Sequence, residues 1–241
     1  MDPAARPWAK ARKQAKSRLA CAAIRMLRCL PAGLYRGAAE FGRSVEFSLW
    51  VAERFAGRAP FLPTRQALWR RMLSCLDGQE QVIGLEFGVA YGHSTRWWLS
   101  HCKALTQWVG FDTFRGLPRP WGRFPAGAFD AGGRPPDVSD QRVEWVIGPV
   151  EETFDHRWLS AGPTSARRVF LFDLDLYEPT ACVASQVFPN LRPGDLVYMD
   201  EAADQDERRV LAEQMERAPG ALELIGATPM GLALRARPAG G

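Results

Sequence analysis

Hydrophobic and polar positions along the chain switch between a helical period and a strand period. Near the N-terminus, residues 6–30 read as a basic amphipathic helix and residues 33–56 as a second one, with Leu34, Phe41, Val45, Leu49, Val51 and Phe55 near helical spacing and Pro31 and Gly33 between the two. A third helix is expected from Thr64 to Leu76, with Thr64 as N-cap and Asp77-Gly78 as its stop. The apolar run Val82, Ile83, Leu85 and Phe87, carrying Glu86, then meets Gly88, Gly92 and Ser94 before a helical pattern from Thr95 to Leu99. This is the signature of a buried strand, a glycine turn and a helix start, the first βα unit of an α/β sheet. Further strands are predicted at Thr106–Asp112, Val143–Ile147, Arg168–Tyr177 and Leu196–Met199, with helices opening near Glu151, Pro179 and Asp204. Two last strands, Leu222–Ile225 and Gly231–Arg235, are too close for a parallel crossover, which needs about a dozen residues or more. They must form a hairpin, so the sheet is parallel until its last strand.

One segment has neither period. Residues 115–137 are rich in Gly, Pro and aromatic residues, and a structureless loop of that length in a compact domain is functional or disordered. Trp121, Phe124 and Phe129 are costly to leave in water, which favours a folded lid over a pocket. The expected division is a basic helical extension over residues 1–79 and an α/β domain over 80–241 with this loop as its lid.

Composition adds little until it is divided by region. At 46% hydrophobic and 24% charged, the 241 residues are those of an ordinary globular chain. The net charge of +4 hides an asymmetry: residues 1–36 hold nine Lys and Arg against Asp2 alone, while the rest holds 22 basic and 26 acidic residues. The basic N-terminus reads first as a solvated face, with peripheral contact to a membrane surface, nucleic acid or an acidic partner as alternatives. Five scattered cysteines without C-x-x-C spacing argue against a disulfide framework and a zinc site, and fit a reducing cytoplasm. No apolar run approaches the roughly 20 residues of a spanning helix. Arg25 and Arg28 interrupt the apolar segment that follows the basic start, which argues against a signal peptide.

The chemistry concentrates at the predicted carboxyl ends of the strands. Gly88 and Gly92 remove Cβ atoms where a ligand approaches the backbone, and the unpaired N–H groups of the next helix, with Ser94 as its expected N-cap, offer donors to a carboxylate. Glu86 is placed to accept from an ammonium or hydroxyl group. The spacing is G-x-x-x-G without the third glycine of the dinucleotide fingerprint, which disfavours nicotinamide and flavin; the plainer alternative is a tight turn. Asp112, 20 residues beyond Gly92, is positioned to take a ribose diol, or else to cap the backbone of Thr113 or Phe114. Asp173 and Asp175 are expected on one face of their strand, and Asp200 and Glu201 end the next one. Carboxylates converging from two strands suit Mg²⁺, which could lower the pKa of a substrate hydroxyl while one of the acids takes the proton. Asp175 is the member expected to cap a helix or face solvent instead.

The segments L-E-F-G-V-A-Y-G-H-S, G-F-D-T-F-R-G-L-P, F-P-A-G-A-F, G-P-V-E-E-T-F, F-D-L-D-L-Y-E-P-T and G-D-L-V-Y-M-D-E occur in this order. Together, over about residues 80–235, they resemble the macrocin O-methyltransferase family of S-adenosylmethionine-dependent enzymes, which methylate sugar hydroxyls on macrolide and aminocoumarin antibiotics. The resemblance implies a Rossmann-like, seven-stranded class I methyltransferase sheet with an antiparallel last strand. It implies that Glu86, Gly88, Gly92 and Ser94 surround the methionine part of the cofactor and that Asp112 binds its ribose. Asp173 would be the general base and a metal ligand, with Asp200 and Glu201 completing the Mg²⁺ site. The arrangement is also similar to catechol O-methyltransferase. Three departures stand out. The family's Asp-Asp pair is Asp200-Glu201 here, and the extra methylene shifts the ion or weakens its hold. The family's Gly-Trp-Phe is Gly148-Pro149-Val150, which removes an aromatic near the adenine position. The region before residue 60 has no match, and is left to shape the acceptor pocket or a contact in a homo-oligomer.

The expected function is therefore O-methylation of a sugar or other small hydroxylated natural product. Two alternatives remain from the sequence: a methyltransferase acting on RNA or a membrane-associated substrate, docked by the basic N-terminus, or a catalytically silent binding protein with the same fold. The net acidic body disfavours nucleic acid, which calls for basic residues around the pocket.

Overall fold

The structure, a computed structural model, describes residues 16, 18–26, 29, 31–55, 60–160 and 162–238. The start of the predicted basic helix over residues 6–30 lies outside the described residues; residues 18–26 are helical. The chain divides into two compact units, Met1–Glu46 and Phe47–Gly241. Helix α1, Ala32–Arg54, begins in the first unit and ends in the second. Within the first unit, Leu34, Phe41 and Val45, which the period marks as one apolar face, are exposed, as are Leu19, Ile24 and Met26. None of the described helices is long and apolar enough to cross a membrane, and the five cysteines are free thiols.

The second unit is built on a seven-stranded sheet. Its strands are β1 Val82–Phe87, β2 Leu105–Asp112, β3 Val143–Ile147, β4 Arg167–Phe172, β5 Leu196–Met199, β6 Leu222–Ala227 and β7 Leu232–Ala236, in the order β3-β2-β1-β4-β5-β7-β6. Pairings among β1 to β5 are parallel; β7 runs antiparallel to both β5 and β6, as the hairpin argument requires. The last strand thus inserts beside β5 and leaves β6 at the edge. One strand is shorter than its pattern suggested: β4 ends at Phe172, so Asp173 and Asp175 lie in the following loop and share no strand face. Asp175 adopts φ +62, a left-handed conformation open to Asp at modest cost.

Central strands buried on both faces supply two cores, and the pleat assigns residues to each. Ile83, Leu85, Phe87, Phe170, Phe172, Val197 and Met199 face one side, together with Phe47 and Val51 of α1 and Phe55 just after it. On that side also lie Val183 and Val187 of helix α4, Tyr177–Val187, and Val210 and Leu211 of helix α5, Gln205–Arg217. Val82, Trp108, Val169, Leu171, Leu196 and Tyr198 face the other side. There they meet Leu68, Trp69 and Met72 of helix α2, Arg65–Ser74, and Trp98 of helix α3, His93–His101. Thr64 caps α2 as expected, accepting from the Ala67 N–H at 3.2 Å. At the amino-terminal edge of the sheet, Arg168 and Asp195 form an ion pair that is 2% and 1% exposed, and Arg168 also donates to the carbonyls of Leu159 and Asn190.

Candidate active site

The carboxyl ends of β1, β2, β4 and β5 open onto a cavity of about 1250 Å³. Gly88, Ser94 and Asp112 lie on its wall with Asp173, Asp175, Asp200 and Glu201, so residues far apart in sequence share one space. Leu117, Trp121, Phe124 and Phe129 of the 115–137 loop close one side of it. That loop is folded: Leu117 N–H donates to Ala128 O at 2.9 Å, the N–H groups of Ala131 and Gly133 donate to Phe114 O, and Trp121 stacks on Phe124 with ring centroids 5.7 Å apart. The volume exceeds the roughly 300–1,000 Å³ of a pocket for one small ligand, leaving room for two side by side.

The glycine turn is explained first by the chain's own packing. Gly88 has φ +86, and a Cβ there would lie 1.8 Å from the Asp173 carbonyl oxygen; Gly92 has φ +69 and faces Pro136. Gly88 borders the cavity and Gly92 does not. The helix after the turn starts two residues earlier than expected: Gly92, in the left-handed conformation, is the N-cap of α3. Ser94 therefore caps nothing, and its hydroxyl donates to Glu86.

Glu86 departs from the sequence expectation. It is 1% exposed, is not on the cavity wall, and accepts hydrogen bonds from Ser94, from Thr95 and from the Trp108 indole at 2.8 Å. The pleat decides this, because Leu85 and Phe87 face one core and Glu86 must face the other, under α3. Burial drives its pKa up to about 7, with the hydrogen bonds from Ser94, Thr95 and Trp108 pulling the other way. Asp112 takes the backbone-capping role that the sequence allowed and stands at the cavity. One oxygen accepts from the Val89 and Ala90 N–H groups at 2.7 Å each and the other from Phe114 N–H at 2.8 Å, while the residue still borders the cavity. It ties the glycine turn to the end of β2.

The acids at the ends of β4 and β5 repel one another in a half-buried cleft. Burial first, then Asp200, Asp175, Glu207 and Glu201, hold the Asp173 carboxyl well above the usual carboxylate range. Burial and Asp200 push Asp175 to about 7, and burial with Asp200 and Asp175 pushes Glu201 to about 8. Glu207, fully buried on α5, accepts from the Glu201 N–H at 3.1 Å.

Two residues that the sequence reading passed over complete the cleft. Tyr198 donates its hydroxyl to one oxygen of Asp200, and Arg65 reaches the other at 3.3 Å. Arg65 also sits over the Trp69 ring, 5.4 Å from its centroid, and lines the cavity. A cation in the first turn of a helix opposes the helix dipole, and that local mismatch at Arg65 was the available signal of a distant anion. These contacts bear on the expected Mg²⁺ site. The donor chemistry suits a hard cation, and one oxygen of Glu201 is buried without a partner. As arranged, however, Asp200 is engaged on both oxygens, and among the described residues no three acidic, histidine or cysteine side chains converge as a ligand set. The residues as they stand do not form a metal site.

No family model matches the chain, and no curated protein matches it. Solved structures do. The chain is 30% identical to the apo structure of CalS11, a TDP-rhamnose 3'-O-methyltransferase of calicheamicin biosynthesis, over 70% of this chain and 76% of that one, with a TM-score of 0.46. The O-methyltransferase NovP is 18% identical over 72% of this chain and 80% of that one, with a TM-score of 0.53, a likeness of fold. The seven-stranded sheet with its antiparallel β7 is the Rossmann-like methyltransferase fold. The sequence identity to CalS11 across most of both chains, rather than the superposition, carries the assignment: the chain belongs to the family of class I S-adenosylmethionine-dependent O-methyltransferases.

Proposed function

We propose that this enzyme methylates a hydroxyl of a sugar or another small natural product, with Asp173 as general base. The observation that supports this reading best is the single cavity shared by the glycine turn, Asp112 and Asp173. When bound, S-adenosylmethionine supplies a methyl group on a sulfonium, which an oxygen nucleophile attacks in line. Gly88 and Ser94 would border its methionine part, and Asp112 its ribose.

Asp173 accepts the hydroxyl proton as the oxygen–methyl bond forms, and a carboxyl held well above its usual range is a stronger base once ionised. The 115–137 loop excludes water from the reacting atoms through Leu117, Trp121 and Phe124, and fixes the acceptor's approach. Glu86 has a positioning part: its bonds to Ser94 and Thr95 hold the start of α3 against β1. A magnesium ion would be held by Asp173, Asp200 and Glu201, and only with Arg65 displaced from Asp200. The acceptor class follows CalS11, whose substrate is a nucleotide sugar, and the cavity volume, which leaves room for such a ligand beside the cofactor.

The test is Asp173→Asn with a panel of TDP-sugars and glycosylated small molecules, reading S-adenosylhomocysteine release and, separately, cofactor affinity by calorimetry. The expected outcome is an unchanged cofactor Kd and a kcat lower by about 10²–10⁴, the usual worth of a general base. A wild type that does not bind S-adenosylmethionine, or an Asn variant with full kcat, overturns the reading.

A further inference from the structure

Asp200 stands at the end of β5 with both oxygens engaged, and the cation on it is a side chain. Arg65 reaches it from the first turn of α2, a helix whose Leu68, Trp69 and Met72 are fixed in the core. Trp69 is 2% exposed and meets Tyr198 edge-on at 5.8 Å, so the surface under the guanidinium and the phenol that holds the other Asp200 oxygen are packed together. Arg65 itself is 40% exposed on its side chain, against 14% for Asp200. The guanidinium is thus held at its anchor by one charge-assisted hydrogen bond and a ring face, with its outer side toward the cavity. It can leave without unpacking the helix. Asp200 in turn faces Asp173, Asp175, Glu201 and Glu207, all repelled by its charge, while the guanidinium interacts with Asp200, Asp173 and Glu201.

We propose that Arg65 is a built-in counter-ion of this acidic cleft that competes with a divalent cation for Asp200, so that the ion enters only when the guanidinium swings off. The proposal rests on reading the cleft as the acid side of the methyl-transfer site. It makes Arg65 a positioning residue that sets how strongly the site demands a metal: with Arg65 seated, the acids have their cation already. Like charges exclude each other at this range, since the guanidinium and a divalent ion would share one carboxylate.

The test is Mn²⁺ binding to the full chain, measured by the paramagnetic signal of the free ion, for wild type, Arg65→Met and Arg65→Gln. Calorimetric binding of S-adenosylhomocysteine to the same samples runs in parallel. Both variants should bind Mn²⁺ at least tenfold more tightly than wild type, and Asp200→Asn introduced into Arg65→Met should abolish the gain. Equal or weaker Mn²⁺ binding in both variants, including no binding at all, overturns the proposal. Wild-type protein that takes up no S-adenosylhomocysteine defeats the methyltransferase reading of the cavity, while the Mn²⁺ comparison still decides the competition at Asp200. Two variants of different polarity at a half-exposed position guard against one that fails to fold.

Discussion

Replacing Glu86 by Gln tests the physics of the organising turn without touching the cavity. In the folded protein the carboxyl is 1% exposed and its pKa stands at about 7, against an ordinary 4.5. The folded state therefore holds its proton more tightly than the unfolded state does. Below about pH 4.5 both states are protonated and the burial of Glu86 carries no charge penalty. As pH rises from there to about 7, the unfolded state ionises first and the wild type loses stability; above about 7 the whole penalty is present. At about 1.4 kcal/mol for each pH unit, the rise from 4.5 to about 7 amounts to about 3 kcal/mol. Gln keeps the shape and stays neutral. Its oxygen can accept from Trp108 and Thr95, and its amide can donate to the Ser94 hydroxyl, which turns to accept. Urea denaturation of both proteins at about pH 5, 6, 7 and 8 measures the difference, and the other titrating groups, common to both, cancel. Glu86→Gln should gain about 2–3 kcal/mol on the wild type between about pH 5 and pH 8. A stability difference that is flat across that range would refute the claim that the buried carboxyl is held up by burial.

Two further outcomes are expected. Asp112→Ala removes the acceptor for three backbone N–H groups as well as a proposed ribose ligand, so cofactor Kd should rise at least tenfold by calorimetry while stability falls by about 1–3 kcal/mol; an unchanged Kd would leave Asp112 with only its turn. Arg168→Met strands Asp195 in the core at the opposite edge of the sheet and should cost about 3–5 kcal/mol in denaturant unfolding without altering cofactor affinity in the fraction that stays folded.

Local pattern determined most of the fold. Periods of two and 3.6 are short-range consequences of backbone geometry, so β1, β2, β3 and β5 appear where apolar runs stand, and Thr64 and Asp204 cap the helices they precede. Chain length between Ile225 and Gly231 sufficed to require the closing hairpin, because no crossover fits. Asp112 was legible as both a turn residue and a crevice acid, for both follow from ending a strand. What only the tertiary structure decided involves the direction of side chains and partners distant in sequence. The pleat carried Glu86 away from the crevice to Trp108, 22 residues on, and the early end of β4 moved Asp173 and Asp175 into a loop. The order of strands brought β5 beside β4 and so the acids together. Arg65 meets Asp200 across 135 residues. No local preference encodes such a contact: it arises when α2 packs on the sheet face to which β5 contributes Leu196 and Tyr198.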